Sequence, residues 1–143
     1  MKDIDDIIIS DDEFERMTLY GSVLNHKEDL KRAKILGYNN PGVYIQQNTV
    51  VRTKYKHTIG SNIVIAFFCY INGDVTIEDR VLIGPGCVIT AGHHKFDPAT
   101  GWFSARTEGD GDDSIRIGYG SWLCAHVTIT AGVKIGRANL ICS

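Results

Sequence analysis

Read in sixes from residue 59, the chain runs IGSNIV, IAFFCY, INGDVT, IEDRVL, IGPGCV and ITAGHH to residue 94. The pattern breaks over residues 95–116 and resumes from residue 117 as IGYGSW, LCAHVT, ITAGVK, IGRANL and ICS. Its leading positions are Ile59, Ile65, Ile71, Ile77, Ile83, Ile89, Ile117, Leu123, Ile129, Ile135 and Ile141. Ile and Leu make up 25 of 143 residues, so chance would put about two of them at those eleven places. A helix repeats its apolar positions every 3.6 residues and a plain strand every 2. A period of six, with one fixed aliphatic and a small or turn-prone neighbour, fits a short strand followed by a corner, the unit of a parallel β-helix. Three such sides close a coil of about eighteen residues. Coils stack at the ~4.8 Å strand spacing, so each leading aliphatic rests on another.

Working outward, Ile45 and Val51 keep the period, but eight residues rather than six separate Val51 from Ile59. The cysteines test the register. Cys69 and Cys87 are eighteen residues apart, as are Cys124 and Cys142, so each pair should stack on adjacent coils. The first pair takes the fifth, inward-facing position shared with Ile63, Val75, Val81 and Val127, and His93 falls on the same position. All four read as small buried hydrophobes of a reducing compartment rather than disulfides. No C-x-x-C spacing supports a zinc knuckle or a thioredoxin-type motif.

Composition agrees with strand. The 18 Ile and 10 Val outnumber the 7 Leu and 8 Ala, and 15 glycines supply many tight turns. At 143 residues the chain is one domain. A net charge of -2 provides no basic field for nucleic acid, and no apolar run reaches membrane-span length. Met1 to Ser10 is acidic and lacks the basic start of a secretory signal, which points to the cytoplasm. Residues 10–37 are expected to be helical. Ser10 with Glu13, and Asn25 with Glu28, fit capping boxes, while Leu30, Ala33 and Lys34 share a face and Gly37 suits a left-handed stop. The expected organisation is a helical segment over residues 1–42, then an all-β domain over 43–143 with an excursion loop over 95–116.

The repeat, the stretch from Ile83-Gly84-Pro85 to Thr90-Ala91-Gly92-His93-His94-Lys95-Phe96-Asp97-Pro98, Ser114-Ile115-Arg116-Ile117-Gly118, Trp122-Leu123-Cys124-Ala125 and Ile129-Thr130-Ala131-Gly132-Val133-Lys134-Ile135-Gly136 together carry a resemblance. The chain resembles the hexapeptide-repeat acyltransferases, and within them the galactoside, maltose, nodulation-type and surface-polysaccharide O-acetyltransferases. The resemblance covers residues 59–143, more loosely 43–58. It implies a left-handed parallel β-helix. It also implies acetyl transfer from acetyl-CoA to a saccharide hydroxyl, without a metal, in a homotrimer.

A hydroxyl needs a base to remove its proton as it attacks a thioester, and a histidine with a pKa near 6.5 suits that task. The motif puts His94 at the family's catalytic position. Glu108 matches a loop carboxylate that orients the imidazole, and Asp74, Trp102 and Arg106 fall where the acceptor binds. Trp122, Ala125 and Ser143 fall on the CoA side, with Lys134 and Arg137 as cations for its phosphates. In similar enzymes the loop reaches an adjacent subunit, and His94 meets the Trp122 region across that interface.

Departures from the family pattern are specific. Ala66 stands where the family has an acceptor-binding asparagine, which argues against a simple galactoside or maltose acceptor. The N-terminal helix pattern of the maltose enzymes is not evident. The repeats stop at Ser143, where similar proteins add coils and a helix that grip the adenosine phosphates, so the last coil is expected to be frayed or covered by another molecule. The rival readings are an amino-sugar N-acetyltransferase and a non-catalytic remnant of the family. A γ-type carbonic anhydrase needs a zinc-binding histidine spacing that His93, His94 and His126 lack.

Overall fold

The computed structural model describes residue 12, residues 23–107 and residues 112–143. Helix α1 (Val23–Ile35) leads into the β-helix. It ends in the Schellman arrangement, with Gly37 at φ 88, its N–H donating to Lys34 O and the Tyr38 N–H donating to Ala33 O. The stop at Gly37 is therefore as the sequence indicates. Asn25 is not a cap, because it lies inside α1 with Val23 and Leu24 already helical before it. Ser10 and Glu13 lie outside the described residues. The buried side of α1 is Asn25, Asp29 and Ala33, one per turn, whereas Leu30 is half-buried and Lys34 exposed. Arg32 fastens the helix to the first coil by donating to Asp29 Oδ1 (2.8 Å) and to the carbonyl of Ile45.

Three parallel sheets form the walls of a left-handed β-helix. The first stacks β1 (Val43–Ile45), β3 (Ile63–Ile65), β6 (Leu82–Ile83), β11 (Trp122–Leu123) and β14 (Leu140–Ile141). The second stacks β2 (Val50–Thr53), β4 (Tyr70–Gly73), β7 (Val88–Thr90) and β12 (Thr128–Ile129). The third stacks β5 (Val75–Ile77), β10 (Ile115–Ile117) and β13 (Lys134–Ile135), with Ile59 bridged to Ile77. An antiparallel hairpin of β8 (His94–Asp97) and β9 (Trp102–Thr107) projects from them.

The register follows the six-residue period. Ile65 pairs with Ile83, Ile71 with Ile89, Ile117 with Ile135 and Leu123 with Ile141, each eighteen residues on. The first coil is two residues longer, since Ile45 pairs with Ile65, and the surplus forms a 3-10 turn at Lys56–Thr58. Ten of the eleven leading positions are buried, and Ile141 is half-buried. Each buried Ile removes apolar surface worth ~1.5–3 kcal/mol from water, and this column is the core. The fourth position of the hexapeptide makes the corner. Asn62, Phe68, Arg80, His126 and Ala138 all have φ between 52 and 61, and Gly86, Gly120 and Gly132 take the same left-handed region.

Cys69 and Cys87 are buried beside Ile63, Val75, Val81 and Val127, as the register requires. The other pair differs from the sequence expectation, since Cys124 is half-buried and Cys142 exposed. His93 is not inward-facing either. Its side chain is 54% exposed. The chain turns out of the coil at Gly92 (φ 126), and Ile115 pairs with Val75 in the slot a regular count gives to His93. The excursion thus begins before residue 95 and ends before residue 115.

Candidate functional site

The hairpin is built around Asp97. One carboxylate oxygen accepts from the Ala99 N–H (2.9 Å) and the other from the Thr100 hydroxyl (2.9 Å). The Gly101 N–H donates to the Asp97 carbonyl, with Gly101 at φ 72. The Ala99 N–H is the main reason the Asp97 carboxyl is held below the usual range, with the Thr100 hydroxyl next. The DP pair is therefore what turns the hairpin. Past the turn, Asp97 faces Trp102, Phe96 faces Phe103 and His94 faces Thr107, with a bulge between His94 and Phe96. Such bulges re-aim side chains at the edge of a ladder.

His94 is exposed at the base of the hairpin, and its Nδ1 lies 2.6 Å from the Ser104 carbonyl. A carbonyl only accepts, so Nδ1 carries the proton and Nε2 is the basic nitrogen of the neutral ring. Ser104 holds the same turn of chain a second way, its hydroxyl accepting from the Lys95 N–H (3.1 Å). Nothing in the sequence singled out Ser104, because any residue supplies a main-chain carbonyl and only the hairpin register brings this one to the ring. Glu108 lies outside the described residues.

The base of the excursion is tied to the coils on either side. Below it, the Asp74 carbonyl accepts from the Ile115 N–H (2.8 Å), and the Asp74 carboxylate meets Lys54 Nζ at 3.5 Å. Gly73 is needed beside it. A Cβ there would stand 2.3 Å from the Ala91 carbonyl oxygen, and φ is 95. Above it, the Asp113 carbonyl accepts from the Gly132 N–H, and Asp113 Oδ1 lies 3.6 Å from His93 Nδ1. Asp112 accepts from the Ser114 hydroxyl and from Lys134, which hold its carboxyl down to about 2. Lys134 is engaged by Asp112 and Ser114 within the chain. Arg137 lies over the Tyr119 ring at 5.1 Å.

One chain does not assemble all the expected site residues. Asp74, His93 and His94 share the corner between the second and third sheets. Trp102, 74% exposed, is carried to the far end of the hairpin, and Arg106 belongs to β9 next to the residue facing His94. Trp122 lies on the first sheet between Leu82 and Leu140, half exposed. Ala125 is half-buried in the corner that follows, where its backbone nitrogen closes on Gly84: a Cβ on that glycine would stand 2.8 Å away. Ser143 is exposed beyond β14. The residues expected on the donor side therefore occupy a different edge of the prism from His94.

Residues 56–91 match the family model described as bacterial transferase hexapeptide (six repeats). The matched span runs from the 3-10 turn to the last residue before the chain leaves the coil, so it covers repeats and stops short of His94. No curated protein matches the chain. Among solved structures, the chain is similar to a mutant of AntD, an N-acyltransferase from Bacillus cereus, crystallised with dTDP and coenzyme A. The alignment has 18% identity, covers 77% of this chain and 76% of that one, and gives a TM-score of 0.37. Among the described residues no helix is long and apolar enough to cross a membrane, and no group of three His, Cys, Asp or Glu side chains is placed to hold a metal.

Proposed function

We propose that the chain is an acyltransferase that carries an acetyl group from acetyl-CoA to a hydroxyl of a saccharide, with His94 as the general base. The observation that carries this reading is the 2.6 Å contact between His94 Nδ1 and the Ser104 carbonyl, which leaves Nε2 exposed and basic at a fixed place. The hexapeptide match supports transferase chemistry on this scaffold, and the motif around His94 supports acyl transfer.

In this mechanism Nε2 takes the proton of the acceptor hydroxyl as its oxygen attacks the thioester carbonyl. The tetrahedral oxyanion then collapses with loss of the CoA thiolate, to which the imidazolium returns the proton. The acceptor side is assigned to Asp74, Trp102 and Arg106. Trp122, Ala125 and Ser143 are assigned to the pantetheine side.

For the two sides to meet they must come from different subunits, which is why we assign a homotrimer. The outer row of the first sheet supports this. Tyr44, Val64, Leu82, Trp122 and Leu140 stack in register, and the last three are exposed apolar side chains. The matching row of the third sheet is Thr76, Arg116 and Lys134. The site of action is the cytoplasm, where acetyl-CoA is made.

An acceptor panel tests the reading by following CoA thiol release. Transfer to hydroxyl sugars is the expected result. Transfer confined to amino sugars would make the protein an N-acetyltransferase, and no transfer at all would favour a non-catalytic β-helix.

A further inference from the structure

Two free cysteines, Cys124 and Cys142, face each other across adjacent coils with their Sγ atoms 3.5 Å apart. They follow directly on β11 and β14, where Leu123 pairs with Ile141 and the Cys124 N–H donates to the Ile141 carbonyl at 2.8 Å. Neighbouring parallel strands are ~4.8 Å apart, inside the ~4.4–6.8 Å range of Cα separations that a disulfide spans. Closing the sulfurs to bonding distance takes side-chain rotation and no shift of the backbone ladder. Cys142 is exposed and Cys124 half-buried, so an oxidant in solution reaches the pair.

We propose that Cys124 and Cys142 are a reversible oxidation site, forming an intrachain disulfide that ties β14 to β11. The co-reactant is a low-molecular-weight disulfide such as oxidised glutathione. The Cys142 thiolate attacks it, forming a mixed disulfide and releasing one glutathione. The Cys124 thiolate then attacks Cys142 Sγ and displaces the second. Two protein thiols are oxidised, one glutathione disulfide is reduced to two thiols, and the protons leave with them. Cys142 is the first attacker because contact with it raises the Cys124 thiol above its ordinary range.

The inner pair has the same eighteen-residue spacing and serves as an internal control. Cys69 and Cys87 are buried, and each donates to a carbonyl, Cys69 Sγ to Gly84 O (3.1 Å) and Cys87 Sγ to Cys124 O (3.0 Å). Spacing alone therefore does not make a redox pair here; access does. The bond also has a consequence for the strand next to it. Cys124 stands between Trp122 and Ala125, so oxidation fixes the backbone that borders the donor side.

The test treats the reduced, folded protein with glutathione disulfide, then denatures it, alkylates the remaining thiols and maps the peptides. The expected product is a single-chain species about 2 Da lighter, with the peptides of Cys124 and Cys142 joined and Cys69 and Cys87 alkylated. In Cys142→Ser, whose substituted side chain is exposed, the link is lost and any glutathione stays on Cys124 as a mixed adduct. A stable glutathione adduct on Cys142 of the unsubstituted protein would overturn the proposal. So would Cys142 joined between chains, or a link formed equally with Cys69 and Cys87.

Discussion

Ile115 pairs with Val75 across the coils, in the place that an unbroken repeat would give to His93. The core is thereby closed by an aliphatic residue, and both histidines are left outside it on the chain that departs. Ile115 is 1% exposed, whereas the His93 side chain is 54% exposed. Ile115→Ala should lower stability by ~2–5 kcal/mol, and His93→Ala by no more than ~0.5 kcal/mol. Urea unfolding followed by circular dichroism measures both. Equal losses would place His93 back in the core.

The glycines at the second position of the repeat allow the coils to touch. A Cβ on Gly118 would stand 2.4 Å from the Gly136 carbonyl oxygen on the next coil. Gly118→Ala should therefore cost about 1–3 kcal/mol through overpacking alone. A shift in urea midpoint without a change in slope is the expected signature.

Acid should loosen the return of the excursion first. The Asp112 carboxyl is held down to about 2 by the Ser114 hydroxyl and then by Lys134, against about 3.9 when unfolded. A depressed carboxyl contributes stability that is complete above its unfolded value and is lost as pH falls from about 4 to 2. Asp112→Asn should flatten the pH dependence of the unfolding midpoint in that window and leave the slope above pH 5 unchanged.

Much of the fold was legible because one side chain per hexapeptide had to be aliphatic. The spacing of Ile65, Ile83, Leu123 and Ile141 fixed coil, wall and register together. The point where the chain leaves the coil was not legible, since a hexapeptide count continues through ITAGHH with nothing to mark Gly92 as the exit. The count did separate the cysteines, since Cys87 takes the inward fifth position and Cys142 the second, and only the former is buried. Within the site, His94 was legible from its motif. Ser104 was not, because its contribution is a carbonyl delivered by hairpin pairing. Asn25 misled as a cap because its residue type suits the start of a helix, and here the same amide is buried one turn from Asp29.

The proposed trimer rests on the outer row of the first sheet. Leu82→Glu places a carboxylate in the middle of that row, at a side chain 45% exposed in the single chain that the proposed trimer would cover. Light scattering should read three chains per particle for the unsubstituted protein and one for the variant, with unchanged circular dichroism. A monomer in both would remove the shared site.

The account turns on His94 Nε2 as the base. Once the panel has given an acceptor, the deciding measurement is kcat for His94→Ala at saturating acetyl-CoA, with circular dichroism confirming the fold. The account predicts a fall of ~10²–10⁴-fold, the usual cost of losing a general base. A fall of less than about tenfold would contradict it, because the proton would then be leaving by another route.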